Sequence, residues 1–87
     1  MMVFNELNFI KGGDIMDFNY EKLKGKIVEK FGTQGNFAKA LGVSERTLSL
    51  KLNNRIFFSQ DEISRMTKLL NIELWEIQDY FFKHKVQ

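Results

Sequence analysis

The chain has 87 residues, enough for one domain with a single modest core. It contains no cysteine, which excludes a disulfide framework, a thiolate metal site and a thiol nucleophile. No apolar run is long enough to cross a bilayer and no signal-peptide pattern is present, so we expect a cytoplasmic protein without membrane contacts.

The overall charge of +2 hides an uneven distribution along the chain. Residues 20–55 contain eight lysines and arginines against three glutamates, a net charge of +5. Residues 56–82 contain two cations and five carboxylates, a net charge of −3. A basic half and an acidic half fit a protein that docks one face on phosphates. Ordinary solvated helix surface is the alternative interpretation.

The first fifteen residues are interpreted separately from the domain that follows them. Residues 11–14 read Lys-Gly-Gly-Asp, which a strong bacterial ribosome-binding sequence would encode a few nucleotides before the Met16 codon. We therefore expect residues 1–15 to be a translated leader or a disordered extension, and residues 16–87 to form the domain. The alternative is a genuine extension that packs on the domain through apolar residues such as Phe4 and Leu7.

Apolar residues at helical spacing predict a first helix over about residues 20–31. Asp17 or Asn19 is its expected cap, and Gly32 its expected end. The helix that follows directly would be capped by Thr33. The predicted buried stripe of the first helix comprises Leu23, Ile27, Val28 and Phe31.

Residues 34–55 fit two short helices that cross at a tight turn. Gly42 can adopt the left-handed conformation that ends a helix, and Ser44 can cap the next one. Ala38 is small where the two helices must approach closely. The pattern predicts a helix-turn-helix whose second helix can enter the major groove of DNA. The predicted core faces comprise Phe37, Ala38 and Leu41 in the first helix, and Leu48 and Leu52 in the second.

Several residues of this segment occupy positions of a known motif: Gln34, Ala38, Gly42, Ser44 and Thr47, followed by Asn53, Asn54 and Arg55. With them the segment resembles the helix-turn-helix of Xre/Cro/C1-type regulators, most closely the short Cro-like proteins of Gram-positive phages and prophages. The resemblance implies an all-α fold, a five-helix lambda-repressor-like DNA-binding domain.

Two positions depart from the pattern of that family. Lys51 stands where an apolar residue is usual, so we expect its ammonium group to lie near the protein surface. Asn54 replaces the usual glycine, which it can do because asparagine tolerates left-handed φ. Neither departure breaks the motif.

The acidic half predicts two further helices. Residues 59–62 form a capping box before a fourth helix that should end at Asn71. A fifth helix is predicted over about residues 74–82. At least one of the two loop aromatics, Phe57 and Phe58, should enter the core. The predicted buried residues of these helices are Ile63, Met66, Leu69 and Leu70, and then Leu74, Ile77 and Phe81.

The outer face of the recognition helix carries the candidate base-reading residues. Arg46, Ser49, Leu50 and Asn53 share one face, opposite the buried leucines. Arg46 could bind guanine O6 and N7 or a phosphate, and Leu50 could contact a thymine methyl group. Glu45 could accept from a cytosine amino group, or merely place favourable charge at the helix N-terminus. The predicted base-reading set is Glu45, Arg46, Ser49 and Leu50.

Phosphate contacts are expected from the rim of this face. By resemblance, Gln34 would hydrogen-bond a phosphate from the start of the second helix, helped by its backbone N–H. Thr33 and Asn36 are near enough to assist, although Thr33 serves mainly as a cap. The full predicted set is Thr33, Gln34, Asn36, Lys39, Lys51, Asn53, Asn54 and Arg55.

The sequence offers little for catalysis or for a cofactor. The single histidine, His84, lies in a basic tail, and no glycine-rich phosphate loop is present. We therefore expect no enzyme, no metal, no cofactor and no small-molecule substrate. The tail, residues 83–85, could add attraction to phosphates or merely solubility.

Three aromatics of the fifth helix predict a protein interface. Trp75, Tyr80 and Phe82 point away from its core face and are expected to be exposed. Related regulators act as homodimers on two half-sites of double-stranded DNA, so we expect a homodimer on a two-fold symmetric operator. The predicted function is a Cro-like transcriptional repressor. The alternative is a protein-interaction module or antitoxin-like partner that uses the aromatic fifth helix.

Overall fold

In the computed structural model, which describes residues 17–86, five α-helices build the fold. They confirm the predicted all-α, five-helix class. The predicted leader, residues 1–15, lies outside the described residues. Over residues 17–86, no helix has the length and apolar character needed to span a membrane. The helices are α1 Glu21–Phe31, α2 Gln34–Leu41, α3 Glu45–Leu52, α4 Gln60–Leu70 and α5 Ile77–Phe81, with a 3-10 turn, Leu74–Glu76, before α5.

Side-chain caps begin α2, α3 and α4 at the predicted residues. The Thr33 hydroxyl accepts the Asn36 backbone N–H at 3.0 Å. Ser44 and Ser59 accept the backbone N–H three residues ahead in the same way, each at 3.0 Å. The Glu62 carboxylate accepts the Ser59 backbone N–H at 2.8 Å, which completes the predicted capping box. These local bonds determine where the helices start.

The turns also follow the prediction. Gly42 ends α2 with a left-handed φ of 88°, and its backbone N–H donates to the Ala38 carbonyl at 2.9 Å. Asn71 ends α4 with a φ of 56°. Asn54 has a φ of 62°, the conformation that a glycine at this position would adopt without strain. The turn between α2 and α3 is therefore encoded locally.

The core lies where the helices face one another, and one residue of the predicted α1 stripe lies outside it. Leu23 and Ile27, four residues apart, are fully buried, whereas Val28 is 54% exposed. One residue advances the helix by about 100°, which turns Val28 away from the face of Ile27. The buried cluster comprises Phe18, Tyr20, Leu23, Ile27, Phe37, Ala38, Leu41, Leu48, Leu52, Met66, Leu70, Ile72, Tyr80 and Phe81.

The C-terminal segment departs most from the sequence prediction. Its first turn, Leu74–Glu76, is a 3-10 turn rather than part of one continuous α-helix. A 3-10 turn has three residues per turn instead of 3.6, so the predicted faces no longer apply. Leu74, expected in the core, is 82% exposed, and Tyr80, expected at an interface, is only 5% exposed. The change of period accounts for Leu74, whereas Tyr80 follows Ile77 by three residues within α5 and therefore lies on the same face as Ile77 and Phe81.

Candidate nucleic-acid interface

Helix α3 presents a polar face opposite its buried leucines. Leu48 and Leu52 are buried, and they fix the orientation of the helix against the core. On the other side Arg46 is exposed, while Ser49 and Leu50 are half-buried. The structure therefore brings three of the predicted base-reading residues to one accessible face.

Asn53 lies at the end of this face and is held by the helix itself. Its amide nitrogen donates to the Ser49 carbonyl at 2.8 Å and to the Ser49 hydroxyl at 3.3 Å. The side chain is exposed, so its amide oxygen can still accept a hydrogen bond from an amino group on a base edge.

Glu45 lies beside the start of α2. A Cβ placed on Gly35 would be 3.1 Å from Glu45 Oε1. The carboxylate therefore packs against the first turn of α2, where free backbone N–H groups favour an anion. For Glu45 the sequence predicts base contact or favourable charge at the start of α3. Its position beside the start of α2 is an additional feature of the fold.

The start of α2 uses two of its polar side chains for its own structure. Thr33 is the cap, and the Asn36 amide nitrogen donates to the Phe31 carbonyl at 3.0 Å. Gln34, half-buried, and Lys39, exposed, keep accessible side chains next to this helix end. Among the predicted phosphate contacts from α2, Gln34 and Lys39 are thus the better placed.

Lys51 is not at the surface, which corrects the sequence expectation. The residue is only 9% exposed, and its ammonium group lies 2.7 Å from Glu62 Oε1 and 3.1 Å from the Phe57 carbonyl oxygen. It also lies 5.9 Å from the ring centroid of Phe58. Lys51 follows Leu48 by three residues and so shares its buried face. In this position it joins α3 to α4 and is not available to a phosphate.

The environment of Glu62 shows how strongly this pair interacts. Burial alone would raise the pKa of the Glu62 carboxyl. The hydrogen bond and the charge from Lys51, together with the Ser59 backbone N–H, outweigh burial and hold that pKa below its usual value. Glu62 is therefore ionised at neutral pH and serves both the ion pair and the capping box.

Asn54 also differs from its predicted role. Its side chain accepts the Phe18 backbone N–H at 2.9 Å and donates to the Phe18 carbonyl at 2.9 Å. Both ends of the amide are used inside the protein, so the Asn54 side chain is held against Phe18 and keeps one N–H for any further acceptor. Arg55, the next residue, is exposed, and its backbone N–H donates to the Leu50 carbonyl at 2.9 Å.

Sequence reasoning did not identify Arg65 as part of this region. Its guanidinium donates to the Leu41 carbonyl at the end of α2 and pairs with Asp61 at 3.0 Å. A cation at this position suits the negative end of a helix. The Asp61–Arg65 spacing of four residues was a visible signal for the ion pair, whereas the contact with α2 depends on the tertiary fold.

The α4–α5 region carries an apolar surface. Trp75 is 80% exposed and Phe82 is 45% exposed, as predicted, and Leu74 is exposed beside them. A groove of about 340 Å³ lies between α4 and α5, with Leu74 and Phe82 at its edge. Its other lining residues are Gln60, Ile63, Ser64, Thr67 and Ile77.

Tyr80 does not contribute to this exposed surface. It packs on α1, with the Lys22 ammonium 4.7 Å from its ring centroid. Within residues 17–86, no three His, Cys, Asp or Glu side chains form a group that could hold a metal ion.

Comparison with known proteins identifies a family and a similar solved structure. Residues 16–84 match a family described as a protein of unknown function, DUF739. A solved structure, the modulator of repression (MOR) of the temperate bacteriophage TP901-1 from Lactococcus lactis, is 49% identical, with a TM-score of 0.70. The match covers 83% of this chain and 97% of that chain. No protein with a curated description matches. The chain belongs to the DUF739 family and is similar to a phage regulatory protein.

Proposed function

We propose that the protein is a sequence-specific DNA-binding regulator of a phage or prophage, of the Xre/Cro type, that reads the major groove with α3. The observation that carries the proposal is the accessible outer face of α3, formed by Arg46, Ser49 and Leu50 opposite two buried leucines. A helix oriented by its buried face and open on the other is what major-groove reading requires.

Each residue of that face suits a different feature of the groove. Arg46 has the forked guanidinium that pairs with guanine O6 and N7, and Leu50 has the apolar surface that contacts a thymine methyl group. Around them, Gln34, Lys39 and Arg55 are accessible and can bind phosphates. Lys51 and Asn54 are engaged within the protein, so we leave them out of the phosphate set.

A homodimer would place two copies of α3 on two half-sites. The surface that supports this proposal is the exposed apolar one, Leu74, Trp75 and Phe82, because large exposed apolar patches commonly mark interfaces. Binding of such a dimer across a promoter would block transcription, as expected of a Cro-like repressor acting in the bacterial cytoplasm.

The test is an Arg46→Ala variant. Duplexes are first selected from a randomised pool by the native protein, and affinity for the enriched site is then compared between variants. Loss of one bidentate base contact costs about 1–3 kcal/mol, so we expect a roughly 5- to 150-fold loss on that site with folding intact. Lys68→Ala in α4 is the control. If Arg46→Ala leaves binding to every duplex unchanged, the assignment of the reading face is wrong.

A second candidate function is modulation of repression through contact with another protein. The exposed Trp75 and the groove beside it favour it, and they lie in the acidic half of the chain. The relative from TP901-1 is named a modulator of repression. In this case the protein would be an interaction module, and the aromatic C-terminal segment its working surface. Failure of the native protein to enrich any duplex, together with regulatory activity that Trp75→Ala abolishes, would favour this second function.

A further inference from the structure

The two ends of the described chain are joined by a backbone clasp. Phe18 and His84 form an antiparallel bridge. The Asn19 backbone N–H donates to the Lys83 carbonyl at 2.6 Å, and the Lys85 backbone N–H donates to the Asp17 carbonyl at 3.0 Å. The rings of Phe18 and His84 lie 5.1 Å apart between centroids. The basic tail is therefore held in a defined position rather than hanging free.

Asn54 anchors this clasp to the recognition helix. It follows the end of α3, and its side chain makes both hydrogen bonds to the backbone of Phe18, each 2.9 Å long. Phe18 in turn bridges to His84. A single extended segment thus separates the tail from the end of α3. The distance in sequence between Asn54 and His84 is large, so only the fold brings them together.

The clasp collects positive charge at the end of α3. Lys83, His84 and Lys85 are exposed in the tail, and Arg55, directly after Asn54, is exposed as well. Lys85 pairs with Asp17 at 3.6 Å, and both side chains are about half exposed. Such an exposed pair is weak and exchanges readily for another anion. Within residues 17–86, Lys83 and Arg55 form no ion pair.

We propose that the clasped tail is a phosphate-binding arm, in which Lys83 and Lys85 contact the DNA backbone beside Arg55 at the C-terminal end of α3. This proposal rests on the DNA-binding function proposed above and adds a binding element from the far end of the chain. Lysines fixed at a rim bind phosphates without reading sequence, so the arm would strengthen binding to all duplexes alike.

The first test is the salt dependence of DNA binding by a Lys83→Gln/Lys85→Gln variant. Each phosphate contact adds about 0.9 to the slope of log affinity against log salt, so loss of two contacts should reduce the slope by about 2. Lys24→Gln/Lys68→Gln removes the same charge from α1 and α4 and is the matched control. We expect the control to change the slope by less than 1.

The second test asks whether the clasp positions these lysines. Asn54→Gly retains the left-handed backbone and removes both bonds to Phe18. In that background the Lys83→Gln/Lys85→Gln change should have less than half its effect on the slope. Circular dichroism checks that each variant is folded at the assay temperature. If the tail substitutions reduce the slope as much in the Asn54→Gly background as in the native protein, the clasp does not position these lysines.

The possible outcomes distinguish the phosphate-binding arm from the DNA-binding function on which it rests. If the tail variant and its control change the slope equally while Arg46→Ala still weakens binding to the selected site, the arm is wrong and the reading face stands. If the native protein binds no duplex, both proposals are wrong. A slope reduced by about 2 in the tail variant alone supports the arm.

Discussion

The α2–α3 region and the C-terminal segment bury their side chains in different ways. In α3 Leu48 and Leu52 are buried while Arg46 and Ser49 are accessible, as its helical period predicts. In the Leu74–Glu76 turn and α5, a tyrosine is buried while Leu74 and Trp75 are exposed. The buried face of a helix can be predicted from sequence only while the number of residues per turn stays constant, and a 3-10 turn changes that number.

The two regions also differ in how they use charge. The α2–α3 region buries one lysine in a pair with Glu62 and leaves Arg46 and Arg55 exposed. The C-terminal region exposes apolar surface within an acidic half of the chain. The proposed contacts with phosphates and bases therefore fall in one region, and the proposed contact with a protein, whether a second copy or another protein, falls in the other.

The largest expected effect tests the buried pair that joins α3 to α4. Lys51→Ala leaves the Glu62 carboxylate without its partner, and breaking a buried pair in this way costs about 3–5 kcal/mol of unfolding free energy. Urea unfolding measures the change. Lys24→Ala, which breaks the exposed pair with Glu21, is the control and should cost about 0.5 kcal/mol or less. Equal costs for both variants would mean that Lys51 is effectively solvated.

The next prediction compares the cost of removing a buried side chain from α3 with the cost of removing an exposed one from the C-terminal segment. Leu48→Ala in α3 should cost about 3 kcal/mol, because it removes a fully buried side chain and leaves a cavity. Trp75→Ala removes a larger side chain but should cost about 0.5 kcal/mol or less, because that side chain is exposed in the monomer. Thermal unfolding at low protein concentration compares them. A large cost for Trp75→Ala that grows with protein concentration would reveal an interface that stabilises the fold.

A smaller effect tests the position of Glu45. Its carboxylate lies beside the first turn of α2, where a DNA phosphate would otherwise be attracted. Two charges about 4 Å apart in water interact by about 1 kcal/mol, so Glu45→Gln should tighten binding about fivefold on all duplexes. Glu29→Gln in α1 is the control, and binding titrations at fixed salt measure the change. Weaker binding confined to one duplex sequence would instead show that Glu45 reads a base.

The smallest effect is the pH dependence that Glu62 contributes. Because its pKa in the folded protein is below the usual 4.5, the ion pair stabilises the fold above pH 4.5, and that stability is lost as pH falls through the lowered pKa. Glu62→Gln retains a side chain that can complete the capping box but cannot titrate. Unfolding free energy should therefore fall less steeply in acid for Glu62→Gln than for the native protein. Parallel curves would show that other carboxylates dominate.

Local features of the fold could be predicted because they depend on neighbouring residues. Thr33, Ser44 and Ser59 cap helices through bonds to residues three positions ahead, and Gly42 turns the chain by its own φ. The exposure of Arg46 followed from its place opposite Leu48. These signals act between residues that lie within one helical turn of each other, so they can be recognised in the sequence.

Contacts between distant residues could not be predicted in the same way. The sequence showed Lys51 at a normally apolar position, but its partner Glu62 lies eleven residues away on another helix. Asn54 was correctly expected to adopt a left-handed conformation, yet its side chain serves Phe18, thirty-six residues earlier. The sequence predicts a phosphate contact for both residues, but in the structure their side chains bind other parts of the protein instead.

The sequence by itself determined the caps of α2, α3 and α4, the turn at Gly42 and the outward face of α3, because period and capping act over a few residues. Only the tertiary structure decided which charges are buried, and that the basic tail lies one extended segment away from the end of α3. Those outcomes depend on which helices pack against each other, because a buried polar group needs a hydrogen-bond partner and only the fold brings the two together.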